Sequence, residues 1–187
     1  MAKQKRTALF ETYTGEVLDL LNPSSSVIHV KDIAHALSNI CRFAGHCDRF
    51  YSVAEHSVLA YRRALYMGAS PRMAALCLLH DTEEAYVGDV TNPLKSCLPA
   101  LRRIVKPLRK SIHLVFGMCE PNPSECRTIK QIDEEMLAEE INLMPFGWIA
   151  PSLHKKITGI RIRCWSPRKA ERKFLAAIGE AFPNLTE

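Results

Sequence analysis

Six stretches between Ile33 and Phe182 repeat apolar residues at intervals of three and four, and proline, glycine or a small capping residue separates one from the next. That punctuated period predicts a bundle of amphipathic helices. Ile33, Ala36, Leu37 and Ile40 form the first face, behind Asp32 as helix cap, and Gly45 lies in the loop that follows. Ser52 three residues before Glu55 reads as a capping box for a helix running toward Gly68, with His56 at its second turn. Ser70-Pro71 opens a third helix that carries Met73, Leu76, Cys77, His80 and Glu84 as far as Gly88, which puts His80 and Glu84 on one face. After a turn at Thr91-Asn92-Pro93 comes a stripe from Leu101 to Phe116, where Pro107 predicts a kink or a break. Pro121-Asn122-Pro123-Ser124 stops that stripe and starts another through Ile129, Ile132, Met136, Leu137 and Ile141, and Ser166-Pro167 opens a last helix with Ala170, Phe174, Ile178 and Phe182 inward.

Ahead of the helices, Glu11 to Asp32 holds Gly15, Pro23 and three consecutive serines, an arm with turns and room for a minor strand pair. Ile157 to Cys164 alternates apolar and basic residues near its end, the period of a short strand. The expectation is an all-α fold, one domain over residues 1–187, with 47% hydrophobic and 24% charged residues to build a self-sufficient core. No apolar run reaches the length of a membrane span and the basic N-terminus lacks a signal-peptide pattern, so a cytoplasmic protein with no membrane partner is expected. Seven cysteines without a CxxC fit small core residues in a reducing compartment better than a disulfide framework. The net charge of +5 is concentrated in Arg102–Lys110 and Lys155–Lys173. Because apolar residues interleave these runs at helical spacing, a solvated helix face is the favoured reading and nucleic acid is not the expected partner.

Chemistry concentrates in His80-Asp81 with Glu84, the pattern H-D-x-x-E. An adjacent imidazole and carboxylate can both reach one divalent cation, and Glu84 can serve a nearby water as acid or base. The competing reading is a surface ion pair beside a core histidine. His56 on the preceding helix and Asp133, a carboxylate within an apolar stripe, add two ligands of the same mixed kind. Two imidazoles and two carboxylates suit Zn, Co, Mn or Fe. Asp133 also reads as one more charge in an acidic helix.

With Glu55-His56-Ser57, His80-Asp81-Thr82-Glu83-Glu84, Gly88-Asp89, Asn92-Pro93-Leu94-Lys95 and Asp133 in this order, the chain resembles the HD-domain metal-dependent phosphohydrolases. Asp32 to Ser38, Ile40 to His46 and Phe50 to His56 make it similar to small phage and bacterial members, both 5′-deoxynucleotidases and dATP triphosphohydrolases. The resemblance implies a helical HD fold in which His56, His80, Asp81 and Asp133 ligate a divalent transition metal (Zn, Co or Mn), with Mg or Mn accompanying the substrate phosphates. It implies Glu84 as the catalytic acid or base and Arg42, Phe43, Asp89 and Lys95 as substrate contacts. Phe43 replaces the tryptophan that those deoxynucleotidases carry after the arginine. A homo-oligomer acting on a deoxynucleotide is implied, in a host cytoplasm if the gene is a phage's. The leading expectation is release of triphosphate from a dNTP, dATP first; the alternatives are dephosphorylation of dNMPs and a catalytically silent nucleotide- or nucleic-acid-binding protein.

Overall fold

The computed structural model describes residues 7–144 and 160–185 of the 187-residue chain. The leading arm does pair with itself: β1 (Leu9–Glu11) and β2 (Val17–Asp19) form an antiparallel hairpin with Phe10 opposite Leu18. The turn closes through Thr12 N–H on the Glu16 carbonyl at 2.9 Å, and Gly15 supplies the positive φ of 89° it requires.

Helix α1 (Val30–Asn39) begins two residues before the expected cap. Asp32 sits in its first turn, where a carboxylate is favoured by the helix dipole, and its oxygens accept from Thr14 N–H (2.7 Å) and Thr14 Oγ1 (2.9 Å). The residue read as a cap is therefore the clasp between arm and bundle. Asp32→Ala should lower unfolding stability by about 1–3 kcal/mol, because it leaves the Thr14 N–H without its partner; an unchanged urea midpoint would count against the clasp.

Helix α2 (Val53–Tyr66) is the central element and packs against α1, α3 (Pro71–Leu79), α7 (Pro123–Glu140) and α8 (Pro167–Ala181). Ser52 Oγ caps it by accepting from Glu55 N–H at 3.1 Å. The capping box is only half made, since the buried Glu55 carboxylate accepts instead from Arg163 N–H (2.7 Å) and Trp165 N–H (2.5 Å). That diversion also accounts for the missing strand. Ile160–Cys164 forms none, Arg163 N–H being spent on Glu55 and Cys164 lying at φ 52°; Ile157 to Gly159 lie outside the described residues.

Ser70 Oγ and Pro71 start α3 as expected, but the helix ends at Leu79 rather than near Gly88. His80 Nδ1–H and Thr82 Oγ1–H donate to the Cys77 and Leu79 carbonyls, at 2.8 and 2.7 Å, and Thr82 N–H also closes onto the Leu79 carbonyl at 3.1 Å, the three-residue bond of a turn and not of an α-helix. A turn over 80–83 follows, then the single-turn α4 (Glu84–Val87). His80 and Glu84 are consequently not on one helix face.

After α5 (Asn92–Cys97), α6 (Pro99–Val115) runs without a break through Pro107. The carbonyl that proline leaves without a donor is that of Arg103, an exposed residue, so water can serve it. α7 is opened by a full capping box: Asn122 Oδ1 accepts from Glu125 N–H and Glu125 Oε2 from Asn122 N–H. α8 buries Ala170, Phe174, Ala177 and Ile178, with Phe182 partly buried against Phe116. Among the described residues no helix is long and apolar enough to cross a membrane, and all seven cysteines are free thiols.

Candidate metal centre

Three elements converge on one point beside the core. α2 presents His56 from its second turn, fully buried; the turn after α3 presents His80 and Asp81; and α7 presents Asp133. His56 Nε2 lies 3.1 Å from His80 Nε2 and 3.3 Å from Asp133 Oδ1, while Asp81 Oδ2 is 3.1 Å from His80 Nε2 and 3.6 Å from His56 Nε2. Asp133 Oδ1 stands 3.8 Å from His80 Nε2. Ligand atoms about 2.1 Å from one cation, at angles between octahedral and tetrahedral, sit roughly 3.0–3.4 Å apart. Most of these separations fall in or near that range.

Proton placement makes the same demand. His80 Nδ1 must donate, because its partner is the Cys77 carbonyl. His56 Nδ1 faces Glu140 Oε1 at 2.6 Å and donates to a carboxylate. In the neutral rings both Nε2 atoms are then lone pairs aimed at each other and at two carboxylates, an arrangement that repels itself unless a proton or a cation stands between them. Without metal, protons fill that role. Although burial works against the charge, Asp81 and Asp133 raise the pKa of His80 well above its ordinary value. Burial likewise opposes ionisation of Asp81 and Asp133, yet their histidine neighbours hold both carboxyls below the usual range. A divalent cation competes with those protons, and His56, His80 and Asp81 present ligand atoms close enough together to hold one, with Asp133 adjoining through the two histidines.

Beneath the cluster lies a carboxylate that the sequence reading missed. Glu140, the last residue of α7 and fully buried, accepts from His56 Nδ1–H, from Tyr51 Oη–H at 2.8 Å and from the Arg42 guanidinium at 2.8 Å. Burial alone would raise its pKa, but Arg42 and His56 bring it down to about 2. A signal was present: Glu140 is two turns from Asp133, on the same inward stripe, yet among Glu134, Glu135 and Glu139 it looked like surface charge. Tyr51, also fully buried, carried no signal of its own.

The residues expected at the substrate divide between this network and its rim. Arg42 is engaged with Glu140 and faces Asp81 Oδ2 at 3.7 Å. It opens a turn in which Phe43, Ala44 and Gly45 all have positive φ (57°, 51° and 81°), a conformation rarely adopted by two consecutive residues bearing side chains. A short bridge pins the base of that loop, with Arg42 N–H on the Tyr51 carbonyl at 2.9 Å, and Phe43 N–H donates to Asp89 Oδ2 at 3.0 Å. The loop and the segment after α4 are thereby joined.

Glu84 is buried; one oxygen accepts from Lys95 Nζ at 2.8 Å and Oε2 has no partner among the described residues. Burial first, then Asp81, pushes its pKa up to about 8 in spite of Lys95. A carboxyl poised near neutrality with one free oxygen can give or take a proton.

No family model matches the chain. It is 37% identical over 135 residues to the uncharacterized protein YfdR of Escherichia coli (strain K12), an alignment covering 71% of this chain and 70% of that protein. To an uncharacterized protein of Rhodobacter capsulatus, RCAP_rcc00048, it is 36% identical over 128 residues, 64% of each. With more than a third of the aligned positions identical across over two thirds of both chains, this protein belongs to the same family as YfdR.

Proposed function

We propose that the chain is a cytoplasmic, metal-dependent phosphohydrolase of the HD type that acts on deoxynucleotides and releases triphosphate from a dNTP, with dATP the first candidate. The observation that carries the metal-dependent part is the His56–His80 pair, each ring fixed by an Nδ1–H bond so that its Nε2 lone pair meets the other and the carboxylates of Asp81 and Asp133. The choice of deoxynucleotide rests on the motif resemblance, and the basic side chains of Lys95 and Arg109 beside the cluster suit a phosphorylated substrate.

His56, His80, Asp81 and Asp133 would hold Zn, Co or Mn. Such a cation neutralises phosphate charge and makes a water more acidic. Glu84 takes a proton from the attacking water through its free oxygen as the water oxygen bonds to the α-phosphorus, and returns that proton to O5′ as the bond from phosphorus to O5′ breaks. Lys95 places a fixed positive charge beside Glu84, where negative charge accumulates during phosphoryl transfer. Arg42 and Glu140 keep the floor of the site in place.

Chromatography of products from the four dNTPs and four dNMPs, each with Mn²⁺, Co²⁺ or Zn²⁺ and with a chelated control, tests this reading. Deoxynucleoside with intact triphosphate is the expected outcome. Orthophosphate from dNMPs alone would replace it with a nucleotidase, and no metal-dependent product from any of the eight would overturn it.

A further inference from the structure

Apart from Arg109, the basic run of α6 has no part in the chemistry above. Of its five charges, Arg102, Lys106 and Arg109 recur at spacings of four and three and line a cleft of about 540 Å³, with Lys95 and the Glu83–Glu84 pair also on its wall. Leu101 and Val105 give it an apolar floor. Its acids are largely committed: Glu83 is held by Arg109 and Glu84 by Lys95, while Glu120 is an exposed residue. Lys95 and Arg109 are the cations of those pairs. Arg62, Arg63 and Arg72 elsewhere on the surface each pair with a glutamate, but neither Arg102 nor Lys106 has an ion pair or a side-chain hydrogen bond among the described residues. Arg109 Nε is buried and likewise without a partner there. Arg109 also borders a second cleft, of about 250 Å³, whose walls include His80, Asp81 and Asp133. It therefore stands where the metal centre meets the basic trough.

We infer that this face of α6 is a subsite for a linear polyphosphate chain, Arg109 lying at the end nearest the metal centre and Lys106 and Arg102 successively farther out. The inference rests on the deoxynucleotide reading and deepens it, because it assigns residues to the phosphates that a dNTP has and a dNMP lacks. From Arg102 to Arg109 the helix rises about 10 Å, enough to follow three consecutive phosphates. Guanidinium groups suit such a chain because each can grip two oxygens at once, and the apolar floor steadies the side-chain stems while their heads stay accessible.

The test separates the trough from catalysis by using inorganic tripolyphosphate and orthophosphate as probes on the chelator-treated protein, with binding read by calorimetry. Three proteins are compared: wild type, R102A/K106A, and R103A/K110A, which removes the two charges of the run that do not line the cleft. Wild type should bind tripolyphosphate at least about tenfold more tightly than orthophosphate, and R102A/K106A should lose about tenfold in that affinity while R103A/K110A loses little. Equal losses in the two double variants would mean a general basic field and would overturn the subsite, as would absence of a preference for the longer chain. If nucleotides are hydrolysed, R102A/K106A should raise KM for the dNTP about tenfold and leave any dNMP turnover unchanged. Absence of hydrolysis with wild type would sink the catalytic reading alone, because the tripolyphosphate comparison still decides the trough.

Discussion

Glu140→Ala is expected to abolish metal binding at the proposed centre and to destabilise the fold by about 3–5 kcal/mol, although Glu140 is not itself one of the proposed ligands. Its two oxygens receive donors from Arg42, Tyr51 and His56, all three residues buried. Truncation strands a guanidinium, a phenol and an imidazole N–H together, and His56 loses the bond that turns its Nε2 toward the cluster. Glu140→Gln separates the two consequences. The amide keeps the volume and one acceptor oxygen but presents an NH₂ where a second acceptor is needed. Metal affinity should fall about 10–100-fold, with a much smaller loss of stability. Urea unfolding together with competition against a chromophoric chelator measures both. Wild-type metal affinity in Glu140→Ala would refute the orienting role.

Replacing Glu84 should produce the opposite pattern. Glu84→Gln keeps His56, His80, Asp81 and Asp133 in place, so metal binding should be retained while turnover drops by about 10²–10⁴. Stability should respond in an informative way. Burial and Asp81 raise the Glu84 pKa from 4.5 to about 8, so between those values the folded metal-free protein holds a proton that the unfolded chain has released. The stability associated with that proton is fully present below pH 4.5 and is lost as pH rises through 8. Glutamine has no such dependence. Relative to Glu84→Gln, the metal-free wild type should therefore lose stability from about pH 5 to about pH 8, and parallel stability profiles would contradict the assigned environment. A fully active Glu84→Gln would remove Glu84 from the chemistry.

Much of this architecture could be read from local patterns. Ser70-Pro71, the Pro121-to-Ser124 stop, and the Ile129-to-Met136 stripe act through neighbours within a turn or two, so periodicity and capping rules locate their helices. The misreadings share a different cause: each local signal was outcompeted by a partner distant in sequence or by a tighter turn of the backbone. Asp32 has the chemistry of a cap but bonds to Thr14, and Glu55 completes a capping box on paper but gives its carboxylate to Arg163 and Trp165. At His80 the helical period continues in the sequence while the backbone tightens into a turn, with Thr82 N–H on the Leu79 carbonyl.

The site divides along the same line. Residue types and order alone marked His56, His80, Asp81, Glu84 and Asp133 as candidates, since imidazole and carboxylate are the groups able to hold a divalent cation or move a proton near neutral pH. Which nitrogen of each ring faces the cluster, and what lies beneath it, depended on tertiary packing. Glu140 is indistinguishable in sequence from the acids around it, and Arg42 looks like an ordinary loop charge. Only when α7 packs against α2 does Glu140 reach His56 Nδ1 and the Arg42 guanidinium, across 84 and 98 residues of chain. In that dry setting one carboxylate fixes a ring orientation, which no spacing rule along the chain can express.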